Sequence, residues 1–315
     1  MRVVRSVDEV RAALERRRSR PSHPHAPEPG LTIARPALCT VGLVPTMGAL
    51  HEGHLSLIRT AREQCDTVVV SLFVNPSQFN EGSDLARYPR REGDDVRLAE
   101  QAGADILFAP SVEEVYPEGF STAVEVLGLT DRLEGACRGA SHFRGVTTVV
   151  KKLLNMVSPD IAYFGQKDAQ QVAVIKRMVT DLNMPVAIEV CGTVRESDGL
   201  AMSSRNSRLT PDQRERAGAL FEALEQAADL AYAGERSARK LTQTAHEAMT
   251  ARGVEPEYLE LVNPSTFEPI DPLQATALLV VAARIGETRL IDNFVLDPAL
   301  PGATPTACRP TSLAG

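Results

Sequence analysis

Two histidines three residues apart, His51 and His54, lie in the stretch Val44-Pro45-Thr46-Met47-Gly48-Ala49-Leu50-His51-Glu52-Gly53-His54-Leu55. The stretch reads as a buried strand that breaks into a glycine-bearing turn and restarts as a helix. On one helical turn both imidazoles would face the same side. Gly48 and Gly53 admit a ligand close to the backbone, and the new helix offers unpaired N–H groups and a positive dipole end to an anion. Imidazolium suits the growing negative charge of a phosphoryl transition state. Other readings compete. A zinc hydrolase would need HExxH, but Leu55 stands where its second histidine belongs, and no Gly-Lys-Ser/Thr follows for a Walker A loop. A capped helix start whose histidines face solvent stays open.

Four further clusters carry chemistry. In Phe73-Val74-Asn75-Pro76-Ser77-Gln78-Phe79, Asn75 and Gln78 are neutral amides able to bind a hydroxyl and a carboxylate, although Asn-Pro also makes ordinary turns. Gly165-Gln166-Lys167-Asp168 can admit a phosphate at Gly165 and hold it with Lys167, or simply start a helix with a solvated lysine. Met202-Ser203-Ser204-Arg205-Asn206 sets two hydroxyls beside a guanidinium, as a phosphate tail requires, or serves as a helix-approach loop. After Tyr88-Pro89-Arg90, Asp94 and Asp95 open a helix, where they can serve Mg²⁺ or favour the helix dipole.

These clusters need elements to place them. The apolar patterning predicts a helix over 7–17, then strands over 37–44, 67–74, 105–109, 161–164 and 186–190 alternating with helices over 54–64, 91–102, 146–157 and 169–182. A βαβ series of this kind implies a parallel sheet with helices on its faces and ligands at the strands' carboxyl ends. Beyond about Arg195 the order changes to helices over 211–232 and 238–251 and strands over 258–262, 277–285 and 289–294, which suits a smaller α+β domain. The segment 19–36, dense in Pro, Arg and His, reads as a flexible surface loop whose His23 and His25 are solvated, and 298–315 reads as a disordered tail.

Composition narrows the function classes. The chain has 315 residues, 43% of them hydrophobic, enough for two domains of a soluble globular protein. There is no run of about 18 apolar residues and no signal core, so no membrane association is expected and a cytoplasmic location is. The five cysteines are scattered without a CxxC pair, which implies reduced packing thiols. A net charge of −7 without a long basic block argues against nucleic acid.

Together these motifs resemble the pantothenate synthetase (pantoate–β-alanine ligase) family, members of the nucleotidyltransferase superfamily with HIGH-like and KMSKS-like motifs on a Rossmann-type core. The resemblance runs over about 41–294 and rests on PTMGALHEGH, FVNPSQF, YPR, HFRGV, the GxKD tetrapeptide, TVRESDGLAMSSRN and the late LELV strand, in family order and spacing. It implies an α/β fold: a Rossmann-like doubly wound parallel sheet over 1–194 that binds nucleotide and pantoate, with a smaller C-terminal α+β lid domain over 195–297. It also implies a reaction in which the carboxylate of (R)-pantoate attacks the α-phosphorus of ATP, pyrophosphate leaves, and the amine of β-alanine displaces AMP from pantoyl adenylate. Homodimers are common in the family, and one is expected here.

Carried over onto matching positions, Met47, Gly48, Ala49, Leu50, His51, Glu52, Gly53 and His54 line the ATP site, with His51 and His54 at the phosphates and His54 the first choice of proton donor. Lys167, Ser203, Ser204 and Arg205 hold the β- and γ-phosphates, and Met202 and Gln166 belong to the same ATP site. Gly165 and Asp168 lie near the ribose and Val194 near the adenine. Gln78 and Gln171 grip pantoate, Gln78 also meets β-alanine, and Asn75 is a further contact. Asp94 and Asp95 are the candidates for Mg²⁺. One departure stands out: Gln166 replaces the family's usual Glu, removing a negative charge near the nucleotide. Two other functions fit parts of the pattern. Adenylyl transfer to a phosphorylated acceptor would need a basic pocket where this chain has Asn75, Gln78 and Gln171. A nucleotide-binding regulatory domain without chemistry would lack catalytic groups that are all present.

Overall fold

The computed structural model describes residues 1–18, 39–79 and 85–299. The loop expected over 19–36, the first two residues of the strand expected over 37–44, and the tail from 300 onward lie outside the described residues. The chain divides into two compact units, one comprising 1–164 and 174–191, the other 165–173 and 192–315. The division near 192 lies close to the expected one, but the segment 165–173 groups with the second unit.

In the first unit β1 (Arg2–Val4), β2 (Val41–Thr46), β3 (Thr67–Leu72), β4 (Ile106–Phe108), β5 (Ile161–Gly165) and β6 (Ala187–Cys191) form one sheet in the order β1-β4-β3-β2-β5-β6. The pairs β1–β4, β4–β3, β3–β2 and β2–β5 are parallel. Val41, Leu43, Val44, Val68, Val69 and Val70 are wholly buried. Consecutive buried residues mean that both faces are covered, which is why these strands read as unbroken apolar runs. The chain moves outward from β2 through β3 to β4, then returns on the other side of β2 as β5. The order therefore reverses between β2 and β5, and a doubly wound sheet opens its ligand crevice at such a switch.

The Glu52–Gln64 helix follows β2 and buries Leu55, Leu57, Ile58 and Ala61. These join Val44, Val68, Val70 and Leu107 in one apolar cluster. The Ala140–Val157 helix starts a turn and a half before the helix expected over 146–157. Its added turn buries Phe143, which continues the apolar face of Val146, Val150, Leu153 and Val157.

The second unit is built on the antiparallel strands β7 (Pro256–Val262), β8 (Ala277–Ile285) and β9 (Thr288–Leu296). The Ala219–Tyr232 and Ala238–Ala251 helices pack against it. Ala219, Ala223, Ala227 and Ala231 form a small-residue stripe at four-residue spacing, and with Leu220, Leu224, Leu241 and Met249 they share a core with Leu279, Val281 and Phe294. The helix expected over 211–232 is interrupted at Gly218, whose N–H bonds the Glu215 carbonyl three residues back. A capping box between Thr210 and Gln213 starts the first half. The α/β sheet with a smaller α+β body agrees with the architecture expected from the sequence.

Candidate active site

In the first unit β2 ends at Thr46, whose Oγ1 donates to the Ser71 carbonyl at 2.7 Å and faces the Gly48 N–H at 3.3 Å. The backbone then takes two successive left-handed steps, Gly48 at φ 86° and Ala49 at φ 52°. Gly48 is needed there twice over. Its φ suits glycine, and a Cβ would sit 3.0 Å from both Asp95 Oδ2 and Leu72 Cδ1. Ala49 N–H donates to Asp95 Oδ2 at 3.0 Å and Leu50 N–H donates to Asp95 Oδ1 at 2.7 Å. Asp95 is 2% exposed, and burial pushes its carboxyl above the usual range despite those two amides.

That geometry gives Asp94 and Asp95 different surroundings. Asp95 is a cap for the turn, both oxygens engaged by backbone amides, while Asp94 is exposed and paired with Arg97 at 3.4 Å. Of the two candidate Mg²⁺ carboxylates, one is therefore engaged by the turn and the other lies at the surface. Among the described residues no cluster of three or more His, Cys, Asp or Glu side chains could hold a metal. The amides of Ala49 and Leu50 are thereby engaged within the protein.

His51 is the N-cap of the Glu52–Gln64 helix and His54 its third residue. Their rings stack at a centroid distance of 4.1 Å and an interplanar angle of 39°. The His51 N–H points to His54 Nδ1 at 3.4 Å. A ring whose Nδ1 accepts carries its neutral-state proton on Nε2. The carbonyl of His51 takes the N–H groups of His54 and Leu55, so the amides of Glu52 and Gly53 stand at the helix's open end. The Glu52 carboxylate turns to Arg59.

Beyond β3, Asn75 caps the short 3₁₀ turn Pro76–Gln78. It is 1% exposed and fully engaged. Its Oδ1 accepts from Ser77 N–H, Ser77 Oγ and Tyr116 Oη at 3.3, 2.9 and 2.8 Å, and its Nδ2 donates to Gln78 Oε1 and the Gly145 carbonyl at 3.1 Å each. Asn75 thus holds the turn, with its side-chain oxygen and NH₂ group both engaged within the protein. Gln78 itself is partly exposed, with Nε2 directed to Met47 Sδ at 2.8 Å, which brings two of the expected site residues together. His142 Nδ1 lies 2.8 Å from the Gln78 carbonyl. Gly145 explains the HFRGV motif: a Cβ there would stand 2.3 Å from the Ser77 carbonyl oxygen, so only glycine lets this helix meet the turn. Tyr116 and His142 were missed from sequence because each acts through contacts 39 and 64 residues away.

The second unit holds the other expected anion residues. Gly165 leads into the 3₁₀ turn Gln166–Asp168, where Lys167 Nζ lies 3.5 Å from Asp168 Oδ1. Gln166 Nε2 donates to Asn293 Oδ1 at 3.0 Å, and Asn293 Nδ2 donates to the carbonyls of Gln166 and Lys167, also at 3.0 Å each. Gln171 follows on the Ala169–Asp181 helix, partly exposed. Val194 accepts the Met202 N–H at 2.9 Å, closing a short loop. Ser203 caps the 3₁₀ turn Ser204–Arg208 by accepting from Arg205 N–H at 3.3 Å, which leaves its hydroxyl proton for another acceptor. Asn206 Nδ2 secures this turn to Glu196 and the Ala201 carbonyl at 2.7 and 3.1 Å. Burial acts against the Glu196 charge, but Arg214 and Asn206 outweigh it and hold the carboxyl below its ordinary range.

A family model described as pantoate-beta-alanine ligase matches residues 2–295. The chain belongs to the pantoate-beta-alanine ligase family. The pantothenate synthetase of Heliobacterium modesticaldum is 54% identical over 259 residues, covering 82% of this chain and 92% of that protein. That of Moorella thermoacetica is 53% identical over 268 residues, covering 85% and 94%. Among solved structures, a pantothenate synthetase from Thermus thermophilus aligns with a TM-score of 0.84 at 45% identity over 95% of this chain and 99% of that one. The pantoate-beta-alanine ligase of Francisella tularensis, complexed with beta-gamma ATP and beta-alanine, aligns with a TM-score of 0.73 at 33% identity over 94% and 97%. No helix among the described residues is long and apolar enough to cross a membrane.

Proposed function

We propose that this chain condenses (R)-pantoate with β-alanine at the expense of ATP, giving pantothenate, AMP and pyrophosphate through pantoyl adenylate. Membership of a family whose relatives bear that name, at 54% identity, is the observation that carries the reading. A pantoate carboxylate oxygen forms a bond to the α-phosphorus and the α–β bridging oxygen leaves with pyrophosphate. The β-alanine nitrogen then attacks the acyl carbon, the acyl–oxygen bond breaks, and AMP departs with that oxygen. Neither step needs a protein nucleophile, because phosphoryl transfer asks chiefly for positioning and charge neutralisation.

In this reading the first unit contributes His51, His54 and the open helix end of Glu52 and Gly53 to the α-phosphate, with the Nε2–H of His54 as the donor. Met47 and Gly48 shape the turn. Gln78 presents Nε2–H to pantoate and β-alanine, supported by Asn75. The second unit contributes Lys167, Ser203, Ser204 and Arg205 to the β- and γ-phosphates, Gly165 and Asp168 to the ribose, Val194 and Met202 to the adenine end, and Gln171 to pantoate. Mg²⁺ would be held mainly by the nucleotide's phosphate oxygens, since neither Asp94 nor Asp95 is placed to anchor it. The working form is proposed to be a cytoplasmic homodimer. Incubation with ATP, Mg²⁺, pantoate and β-alanine should release AMP and pantothenate in equal amounts; release of ADP instead would reject the reading.

A further inference from the structure

The 3₁₀ turn that carries Lys167 makes three hydrogen bonds to one side chain outside it, that of Asn293 on β9. Asn293 is 5% exposed and pairs with Val280 of β8 midway along the β8–β9 pairing. The bonding leaves its amide only one orientation. Two carbonyl oxygens, those of Gln166 and Lys167, require the NH₂ end, so Oδ1 must face Gln166 and Gln166 must answer with its own NH₂. A carboxylate at position 166 would oppose the Asn293 oxygen with another oxygen. The glutamine at this position is therefore matched to Asn293, and its side-chain amide is engaged there.

The neighbouring residue on β9 serves the other anion-binding segment. Asp292 is 2% exposed and accepts from Arg195 Nη1 and Nη2 at 2.5 and 3.0 Å, while Arg195 Nη1 also donates to the Gly199 carbonyl at 3.0 Å. The Arg195 guanidinium lies 4.8 and 5.0 Å from the ring centres of Phe221 and Phe294. Arg195 bridges Ala201, one end of the loop that leads to Ser203. Two consecutive buried residues of one strand, β9, thus hold the Lys167 turn and the root of the Ser203 loop.

We infer that Asn293 is a positioning residue for ATP, setting the backbone from which Lys167 reaches the phosphates, with Gln166 as its matched partner. The inference rests on the reading that Lys167 binds the β- and γ-phosphates. An isosteric aspartate at 293 would replace the NH₂ group, with both its N–H donors, by one oxygen facing two carbonyl oxygens, pushing the Lys167 backbone away. Misplacing a charge partner by about 1 Å costs on the order of a hundredfold in reactions that depend on positioning.

The test is a cycle of N293A, K167A and the double variant in the full-length enzyme, with N293D as a second probe and thermal unfolding followed for each. Steady-state KM is measured for ATP, pantoate and β-alanine. The expected result is a rise of about tenfold or more in KM for ATP with N293A and N293D, little change for β-alanine, and less than about a twofold further effect of N293A once Lys167 is already alanine. Equal fold-losses in both backgrounds would overturn the positioning role, as would a lowered unfolding temperature with unchanged KM for ATP. K167A leaving KM for ATP untouched would overturn the reading of Lys167 itself, and with it the inference.

Discussion

Asn75 donates its side-chain N–H to Gln78 Oε1 at 3.1 Å, and this single bond decides what Gln78 can offer. Asn75 has no freedom to reverse, since its other N–H is required by the Gly145 carbonyl and its oxygen by Ser77 and Tyr116. Gln78 is left with donors, suited to an acceptor such as a carboxylate or a hydroxyl lone pair. Gln78→Glu should then raise KM for pantoate by at least about a hundredfold, because an oxygen replaces the donor and a like charge meets the substrate. A smaller rise for pantoate than for ATP would contradict this orientation.

Tyr116→Phe removes one of the three hydrogen bonds to Asn75 Oδ1. The remaining two keep the amide oriented, so the cost should be only about 0.5–1.5 kcal/mol in kcat/KM for pantoate. Burial holds the Tyr116 phenol above its ordinary range, so the hydroxyl stays a donor at neutral pH. Kinetics of the variant against wild type at pH 7 would check both points, and a loss of catalysis beyond tenfold would assign Tyr116 a direct role instead.

Asp95→Asn tests the cap beneath the histidine turn. One amide acceptor becomes an NH₂ group facing an N–H donor, at a cost of about 1.5–3 kcal/mol for a bond to a charged group. Turnover should fall at neutral pH even at temperatures where the variant is folded. The pH dependence has a definite sign. The folded pKa lies above its ordinary value of 3.8, so the Asp95 contribution to stability is complete below that value and is lost as pH rises through the folded pKa. Unfolding free energies between pH 3 and 7 should show wild type losing ground to D95N as pH rises, and a widening wild-type advantage would contradict the burial argument.

Glu235 should behave in the opposite sense. The N–H of Ser237, then Lys240, then the N–H of Arg236 draw its carboxyl down from 4.5 to about 2. Its stabilising contribution is present above pH 4.5 and disappears as pH falls through about 2. Glu235→Gln should therefore melt below wild type at pH 7 and approach it near pH 2; a gap that persists at the acid end would show that the charge is not what stabilises the start of the Ala238–Ala251 helix.

What was legible from the sequence follows from physical scale. The strands β2 and β3, the histidine turn and the Ala238–Ala251 helix were readable because a run or a period of apolar residues spans them. The three-residue edge strand Arg2–Val4 is too short for any period to register. The break at Gly218 is a single hydrogen-bond shift, with helical residues on both sides of it. The roles of Asp95, Asn75 and Asn293 depend on burial by distant segments. A carboxylate near the start of a helix reads the same whether it faces solvent, a metal or two backbone amides.

The histidines can be ranked by pantoate-dependent exchange of pyrophosphate into ATP, which reports adenylation without β-alanine. With Nδ1 directed at the His51 amide, neutral His54 carries its proton on Nε2, which is why His54 is the proposed donor. His54→Ala should cost about 2–4 kcal/mol in this step, the range for losing a preorganised charge partner. His51→Ala should cost less, and the reverse ranking would move the donor to His51.

The central claim is that a pantoate oxygen becomes bonded to the α-phosphorus. Pantoate labelled with ¹⁸O in its carboxylate, turned over with ATP and β-alanine, tests it directly by ³¹P NMR of the products. Transfer of one labelled oxygen to the phosphate of AMP, with none in pyrophosphate, is the result predicted. Unlabelled AMP, or label in pyrophosphate or inorganic phosphate, would contradict the adenylate route.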